Sequence, residues 1–446
     1  MRGLIPVVAI LLSLCLVPSG LLAQRPFGAQ DQDQSAYALG SLALNVIFIE
    51  SHDANDQVLS VGEENWTPEQ LDNLHLEIAQ AASYWEGLTA SYHPNARLDI
   101  TVNYVNNGVP LETSREPITM KGDRDSKYWI NDVMGSLGYA NADPKTNTVD
   151  FNNAQRDALG TNWATTVYVV NDANDSDNKF TDGRFAFADY GGPYLVTTYG
   201  VNGWGNGRYG AVLSHELAHA FFALDEYAAS GQKNTYYGGY LRGVNGNAEL
   251  DAYGASATPV PQPNALMLNI TNSDPNSNYS PSEFTSVQVG HRDSDNDTIP
   301  DILDTFPELS DIVITSDASA GMFSLSAIGS VNPLPNLNRH SWANSRWAMT
   351  INTIASGEYN LDGLGWIGFD ASDGAYGDYI ESLGFELAAL GAGHHTIDVR
   401  IANSVGNYSD VESYELFVAP EPGTLCMLCL GVVGCMRRRS KANRPT

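Results

Sequence analysis

Along the chain the apolar positions change period. From about residue 40 to 290, short apolar runs alternate with stretches of helical spacing. Ala43–Glu50 reads as a strand, and Leu98–Tyr104 and Thr165–Val170 as further strands. Thr67, Pro68 and Gln70 have the arrangement of a helix N-cap, a first-turn proline and a capping-box partner. Leu71, Leu74, Ile78, Ala81, Ala82 and Trp85 then recur at helical spacing, so a helix is expected there. Phe185–Asp189 and Tyr194–Thr198, joined through Gly191-Gly192-Pro193, read as strand pieces. Beyond about 309 helical spacing is absent. Asp311–Thr315, Thr396–Ala402 and Ser413–Val418 alternate apolar and polar residues between turns of Gly, Asn and Asp.

This pattern predicts an α+β chain: a twisted mixed sheet with helices over residues 41–290, then an all-β sandwich of immunoglobulin or fibronectin type over 309–418. An Asp-rich stretch, 291–308, reads as the linker between them. Residues 24–40 are polar and Gln-rich and read as a lead or short pro-segment. At 446 residues the chain has room for two or three domains.

The two ends read as addresses. Met1-Arg2, the apolar run Leu4 to Val17, Pro18-Ser19-Gly20 and the small residue Ala23 have the form of a secretory signal peptide over residues 1–23. Its apolar run is shorter than the ~20 residues a membrane span needs. At residues 419–446, Pro420-Glu421-Pro422 precedes an apolar run from Thr424 to Met436, and Arg437-Arg438-Arg439 follows. This end resembles the PEP-CTERM sorting signal of Gram-negative bacteria. The resemblance implies an exosortase as processing partner, a location at the cell envelope, surface or extracellular matrix, and membrane contact through this segment only. A membrane tail held by its arginines is the alternative. All four cysteines, Cys15, Cys426, Cys429 and Cys435, fall in these end segments, so the body between them is no disulfide scaffold.

The net charge is −29, and five of the 23 basic residues lie in the last ten positions. So acidic a body repels phosphate backbones and anionic lipid, which excludes nucleic acid as a partner. It suits divalent cations.

One motif has catalytic chemistry. His215-Glu216-Leu217-Ala218-His219 on a helix sets two imidazoles about 40° apart on one face, where both can reach one zinc ion. Glu216 lies beside them as general base for a water activated by the metal. A zinc hydrolase needs a third protein ligand. Asp225, six residues past His219, is the first choice, Glu226 the alternative and Glu249 a distant third. An unbroken helix would carry Glu226 about 10 Å along the axis from His219, so either acid requires a break near Phe222–Ala223.

His215 to Asp225 resembles the acidic-ligand form of the metzincin pattern, except that Phe222 stands where that pattern has glycine. With Asp225-Glu226-Tyr227, the block also resembles bacterial envelope metallopeptidases of the IgA-peptidase type. The resemblance implies a metzincin-like fold, a zinc-dependent endopeptidase (a metalloprotease hydrolysing protein or peptide substrates) and a methionine turn below the site, for which Met267 is the candidate. Tyr227, Tyr236 and Tyr237 are candidates to stabilise an oxyanion. Two other functions fit the same residues: an envelope or biofilm-matrix adhesin with a structural zinc, and a zinc amidohydrolase acting on a non-protein amide.

A second acidic motif begins at Asp293. Asp293, Asp295, Asp297, Asp301 and Asp304 occupy positions 1, 3, 5, 9 and 12 of a calcium-type loop and resemble thrombospondin type 3 and dockerin loops. Thr298 replaces the usual glycine. Calcium is expected to stiffen the linker. Asp172, Asp175, Asp177 and Asp182 form a looser group that reads as a flexible loop, with a structural calcium as the alternative.

Overall fold

A computed structural model describes residues 24–51, 64–140, 143–247, 265–268, 280–317, 322–339, 347–387 and 390–419. The expected signal peptide, Glu249, the four cysteines and the C-terminal segment from 420 lie outside the described residues.

The first body is built on a six-stranded sheet. Its strands are β1 (Gly40–Ser51), β2 (Leu98–Tyr104), β3 (Leu111–Thr113), β4 (Trp163–Val170), β5 (Ala186–Ala188) and β6 (Tyr194–Thr198). The order is β2-β1-β4-β6-β5, with β3 continuing the β2 edge along β1. β5 runs antiparallel to β6, and all other pairings are parallel. β4 is buried throughout, as a central strand covered on both faces must be. Alternate residues of β1 enter opposite cores. Leu42, Leu44, Val46 and Phe48 join the core containing α1 (Pro68–Leu88). Ile47 and Ile49 join the core built by α2 (Gly122–Ser136) and α3 (Pro144–Leu159).

The capping box at Thr67 and Gln70 forms reciprocally, as the sequence predicts. α2 and α3 were not legible. The buried face of α3 includes Asn147, Thr148, Asn152 and Arg156, so its inner stripe is largely polar. Asn152 satisfies itself in place of apolar contact: it donates to the Pro193 carbonyl at 2.9 Å and accepts from Asn45 and Thr166.

The second body is a sandwich of two antiparallel sheets. β9 (Glu308–Asp317), β10 (Met322–Ser330) and β13 (Ile380–Leu387) form one in the order β13-β10-β9. β11 (Ile354–Leu361), β12 (Trp366–Phe369), β14 (Gly393–Asn403) and β15 (Glu412–Val418) form the other in the order β12-β11-β14-β15. Between β6 and β9 the described chain forms α4 (Tyr209–Ala220), a short hairpin of β7 (Tyr237–Gly238) and β8 (Gly243–Val244), and α5 (Glu283–Gln288). The chain is thus a mixed α/β protein with several sheets and few helices.

The segments expected as lead and linker belong to the cores. Tyr37, Ala38 and Leu39 are buried, and the Tyr37 ring meets Trp163 and Tyr240 edge-on. Phe27 pairs with Thr350 of the second body. Ile299, Ile302 and Leu303 of the acidic stretch are buried in the first body's core, together with Met349, Ile351 and Val405. Composition concealed this, because a few apolar residues between aspartates are enough to anchor the strand ends.

Residues between β10 and β11 also return to the first body. The Tyr240 hydroxyl donates to the Leu334 carbonyl at 2.6 Å and accepts from the Met349 amide at 2.8 Å. The Met349 contact is buried and the Leu334 contact partly so. Tyr240→Phe is expected to destabilise the chain by about 1–3 kcal/mol, because Met349 loses its acceptor without access to water. A urea midpoint unchanged in that variant would show that this junction contributes nothing to stability.

Candidate metal centre

α4 carries the two histidines, and its position is set by close packing on α1. A Cβ at Gly210 would lie 2.9 Å from the Glu77 carbonyl, so only glycine permits this approach. Trp85 of α1 donates its indole N–H to the Ser214 carbonyl at 3.3 Å. His215 and His219 therefore project from a helix held along most of its length.

The helix ends where the candidate third ligand requires it to end. Phe222 adopts a left-handed backbone, φ 68°, at the position where the related pattern has glycine. Its neighbours hold the costly conformation in place. The ring packs edge-on against Tyr190 at 5.3 Å, in space left by Gly191, where a Cβ would come within 2.2 Å of the ring. The Tyr190 hydroxyl donates to the Phe222 carbonyl at 2.5 Å.

Beyond that turn Asp225 swings back to the histidines. Its Oδ1 lies 3.2 Å from His215 Nε2 and 3.3 Å from His219 Nε2. The other nitrogen of each ring faces a backbone carbonyl: His215 Nδ1 that of Leu266 at 2.9 Å, and His219 Nδ1 that of Ala223 at 2.8 Å. A carbonyl only accepts, so each Nδ1 carries a proton and a neutral ring turns the Nε2 lone pair inward. Asp225 Oδ1 is buried without a hydrogen-bond donor. Three lone pairs thus converge on one point.

The electrostatics follow from that convergence. Burial opposes charge on His219, but the Asp225 and Glu216 carboxylates outweigh it and hold the pKa up at about 9. Burial likewise opposes charge on Asp225, and the imidazoles outweigh it, holding the carboxyl well below its usual range. Glu216 is shifted upward by burial, against the pull of both histidines. Either protons or a cation must occupy the centre of such a group, and the two compete. A tetrahedral zinc with bonds near 2.0–2.1 Å needs ligand atoms about 3.3 Å apart, so the donor set fits.

The candidates separate cleanly. Glu226 is turned away: its carboxylate accepts from Ser282 and from Thr285 Oγ1 at the start of α5, and its amide donates to the Met267 carbonyl at 2.9 Å. Met267 is completely buried in the turn Ala265–Leu268, closed by a Leu268 amide to Ala265 carbonyl bond of 3.0 Å. The preceding carbonyl, of Leu266, is the one that orients His215. Of the three tyrosines, Tyr227 lies beside Asp225 and Glu216, whose charges add to burial in raising its pKa. Tyr236 and Tyr237 are exposed.

Sequence reasoning missed the amides that hold the Asp225 loop. Gln232 accepts from the Asp225 amide at 2.7 Å, and Gln288 from the Leu224 amide at 2.8 Å. Asn245 donates to the Asp225 carbonyl and Asn247 to the Tyr227 carbonyl. They share no motif or spacing with the histidines, so nothing in the sequence marked them.

In the acidic loop Asp293, Asp295 and Asp297 bring carboxylate oxygens within 4.8 Å of one another. Asp301 and Asp304 do not join them. Asp301 accepts from Ser294 and pairs with Arg292, and Asp304 accepts from Asn407 at 2.8 Å. Thr298, at the glycine position, has φ 78°, and its carbonyl accepts from the His93 amide at 2.9 Å.

No helix among the described residues is long and apolar enough to cross a membrane. No curated protein matches the chain. Among solved structures, wild-type OgpA from Akkermansia muciniphila is 10% identical, with 86% of this chain and 94% of that chain covered and a TM-score of 0.25. The fibronectin(III)-like modules of CbhA from Clostridium thermocellum are 16% identical over 26% of this chain and 47% of that one, with a TM-score of 0.16. Sulfane dehydrogenase SoxCD from Paracoccus pantotrophus is 11% identical over 26% and 31%, with a TM-score of 0.18. The aligned stretch is less than half of the CbhA and SoxCD chains, and scores of this size establish neither a shared activity nor a shared substrate. Residues 418–439 match the PEP-CTERM protein-sorting motif. The chain therefore ends in a sorting signal that marks an exported, envelope-associated protein handled by exosortase-type machinery.

Proposed function

We propose that the first body is a zinc-dependent endopeptidase of metzincin-like fold, exported to the envelope of a Gram-negative bacterium, where it hydrolyses peptide bonds of extracellular or envelope proteins. The convergence of His215, His219 and Asp225 on one buried point supports this reading most strongly. The left-handed turn at Phe222 and the buried Met267 beneath His215 support the metzincin-like comparison. Glu216 favours catalysis over a purely structural zinc, because a metal held only for structure has no use for a buried carboxylate beside its ligands.

When bound, zinc supplies a Lewis acid that polarises the scissile carbonyl and lowers the pKa of water. The three ligands are held before any ion arrives: the two imidazoles by the carbonyls of Leu266 and Ala223, and Asp225 by Gln232 and Asn245. Glu216 accepts the proton of the attacking water and returns it to the leaving amine. In this reading Tyr227, beside Asp225 and Glu216, donates to the oxyanion. Water attacks directly, without an acyl-enzyme.

We further propose that Asp293, Asp295 and Asp297 bind calcium. The ion would stiffen a junction that Ile299, Ile302 and Leu303 already anchor.

Two measurements test these readings. Glu216→Gln should retain one zinc per chain while casein cleavage falls by about 10²–10⁴-fold, and Asp225→Ala should lose the zinc. Zinc in wild type without cleavage of casein, but with release of peptidoglycan fragments, would replace the peptidase with an amidohydrolase. Absence of zinc from wild type would end the reading. For the loop, chelation should increase proteolytic nicking at residues 290–307, and Asp295→Asn should reproduce that pattern in calcium. Identical nicking with and without chelator would remove calcium from the junction.

A further inference from the structure

At the carboxyl ends of the parallel strands lies a second acidic group, remote in sequence from the histidines. Glu64, Glu116 and Asp172 come from three different segments: the approach to α1, the stretch after β3 and the end of β4. All three are buried, at 1%, 2% and 0% exposure. The expectation of a flexible loop at Asp172 is therefore corrected. The residue is held in the interior, with Oδ1 accepting from the Gly200 amide at 2.8 Å.

Hydrogen bonds answer only part of this negative charge: Glu116 accepts from the Ile118 amide at 3.4 Å with Ser51 beside it, and Thr198 and Asn178 lie against Asp172. Asp172 Oδ2 and Glu116 Oε2 are buried and have no hydrogen-bond partner. Both Glu64 oxygens share one donor, the Asn174 amide, at 3.0 and 3.2 Å. The charges acting on the three are all carboxylates: Asp172 and Asp175 on Glu64, Asp175 on Asp172, and Glu64 on Glu116. Burial raises the pKa of each, to about 7 for Glu116 and about 6 for Asp172. Uncompensated anions do not persist in an interior; a cation or protons must answer them.

We infer that Glu64 and Asp172 hold a divalent cation at this edge of the sheet, with Glu116 flanking it. The donors are all hard oxygens, and Asp172 sits on a loop, 171–178, whose backbone carbonyls are further oxygen donors. That chemistry favours calcium over the smaller, stricter magnesium. The inference does not depend on the histidine triad or on the Asp293 loop.

Protonation of the same carboxyls is the rival, and the two differ in sign. With raised folded-state pKa values and no cation, stability is complete below the ordinary carboxylate range and declines as pH rises towards 7. A cation reverses that decline, and its effect grows with pH as protons cease to compete. The experiment uses the mature chain, zinc-supplied, carrying Asp293→Asn and Asp295→Asn to disable the linker loop. Calcium is titrated by calorimetry and by thermal melting at pH 5 and pH 8.

The expected result is one calcium per chain at pH 8, a rise of several degrees in melting midpoint, and almost no rise at pH 5. Adding Asp172→Asn should abolish the response and, without calcium, raise the midpoint above its parent, because it removes an unanswered charge. Glu64→Gln supplies the same reading if Asp172→Asn does not fold. No calcium response in the parent at pH 8 would overturn the inference in favour of protons. So would a response that survives both Asp172→Asn and Glu64→Gln.

Discussion

Three lone pairs that converge on one buried point repel one another unless positive charge lies among them, and the first body is arranged to hold that unfavourable geometry. α4 is clamped to α1 through the Gly210 contact and the Trp85 indole, so its histidines cannot retreat. Leu266 and Ala223 carbonyls fix the ring orientations. Phe222 accepts a left-handed backbone so that Asp225 can return. The left-handed turn and the crowded lone pairs cost free energy, and the hydrogen bonds and packing around them offset it. Together they describe a site whose lowest state includes added positive charge, from protons or from a metal ion, which is why the ligand geometry supports the proposed chemistry more strongly than the His-Glu-x-x-His spacing does by itself.

The replacement of glycine by Phe222 shows how a local rule can fail without the architecture failing. A left-handed residue with a side chain costs roughly 1–2 kcal/mol relative to the right-handed region. Here the side chain causing the cost is itself buried, on Tyr190 and over Gly191. The glycine has in effect moved. It no longer supplies the turn but supplies the space in which a ring at the turn can pack. A sequence pattern reads one position at a time and registers only the loss.

The same reasoning explains what was legible elsewhere. β1, β2, β4 and the capped start of α1 could be read because their apolar periods are regular and their ends carry local chemistry. His215, His219 and Asp225 could be read because one helix and one turn relate them. α3 could not, because Asn152 and Arg156 replace apolar contact with long-range hydrogen bonds whose partners lie on other strands and in the lead. Gln232, Asn245, Asn247 and Gln288 could not, for the same reason. The lead at 24–40 and the stretch at 291–308 looked polar, yet a few apolar residues in each suffice to anchor them.

The anchoring of those segments bears on how the two bodies can work together. Tyr240 lies shortly beyond the Asp225 loop and is bonded to the Leu334 carbonyl and the Met349 amide, which lead into the sandwich. Phe27, at the other end of the first body, pairs with Thr350 in the same stretch. The sandwich is therefore tied to the first body through the segments that support its site. A freely tethered binding module would gain reach from a loose linker, and this chain gives that up. What it gains is a sandwich anchored close to the candidate metal centre by buried contacts rather than by a tether. Cysteines are confined to the terminal segments, so cross-links contribute nothing to that anchoring in the body. Buried apolar anchors and side-chain amides to backbone carbonyls provide it, and the clustered carboxylates are where cations would reinforce it.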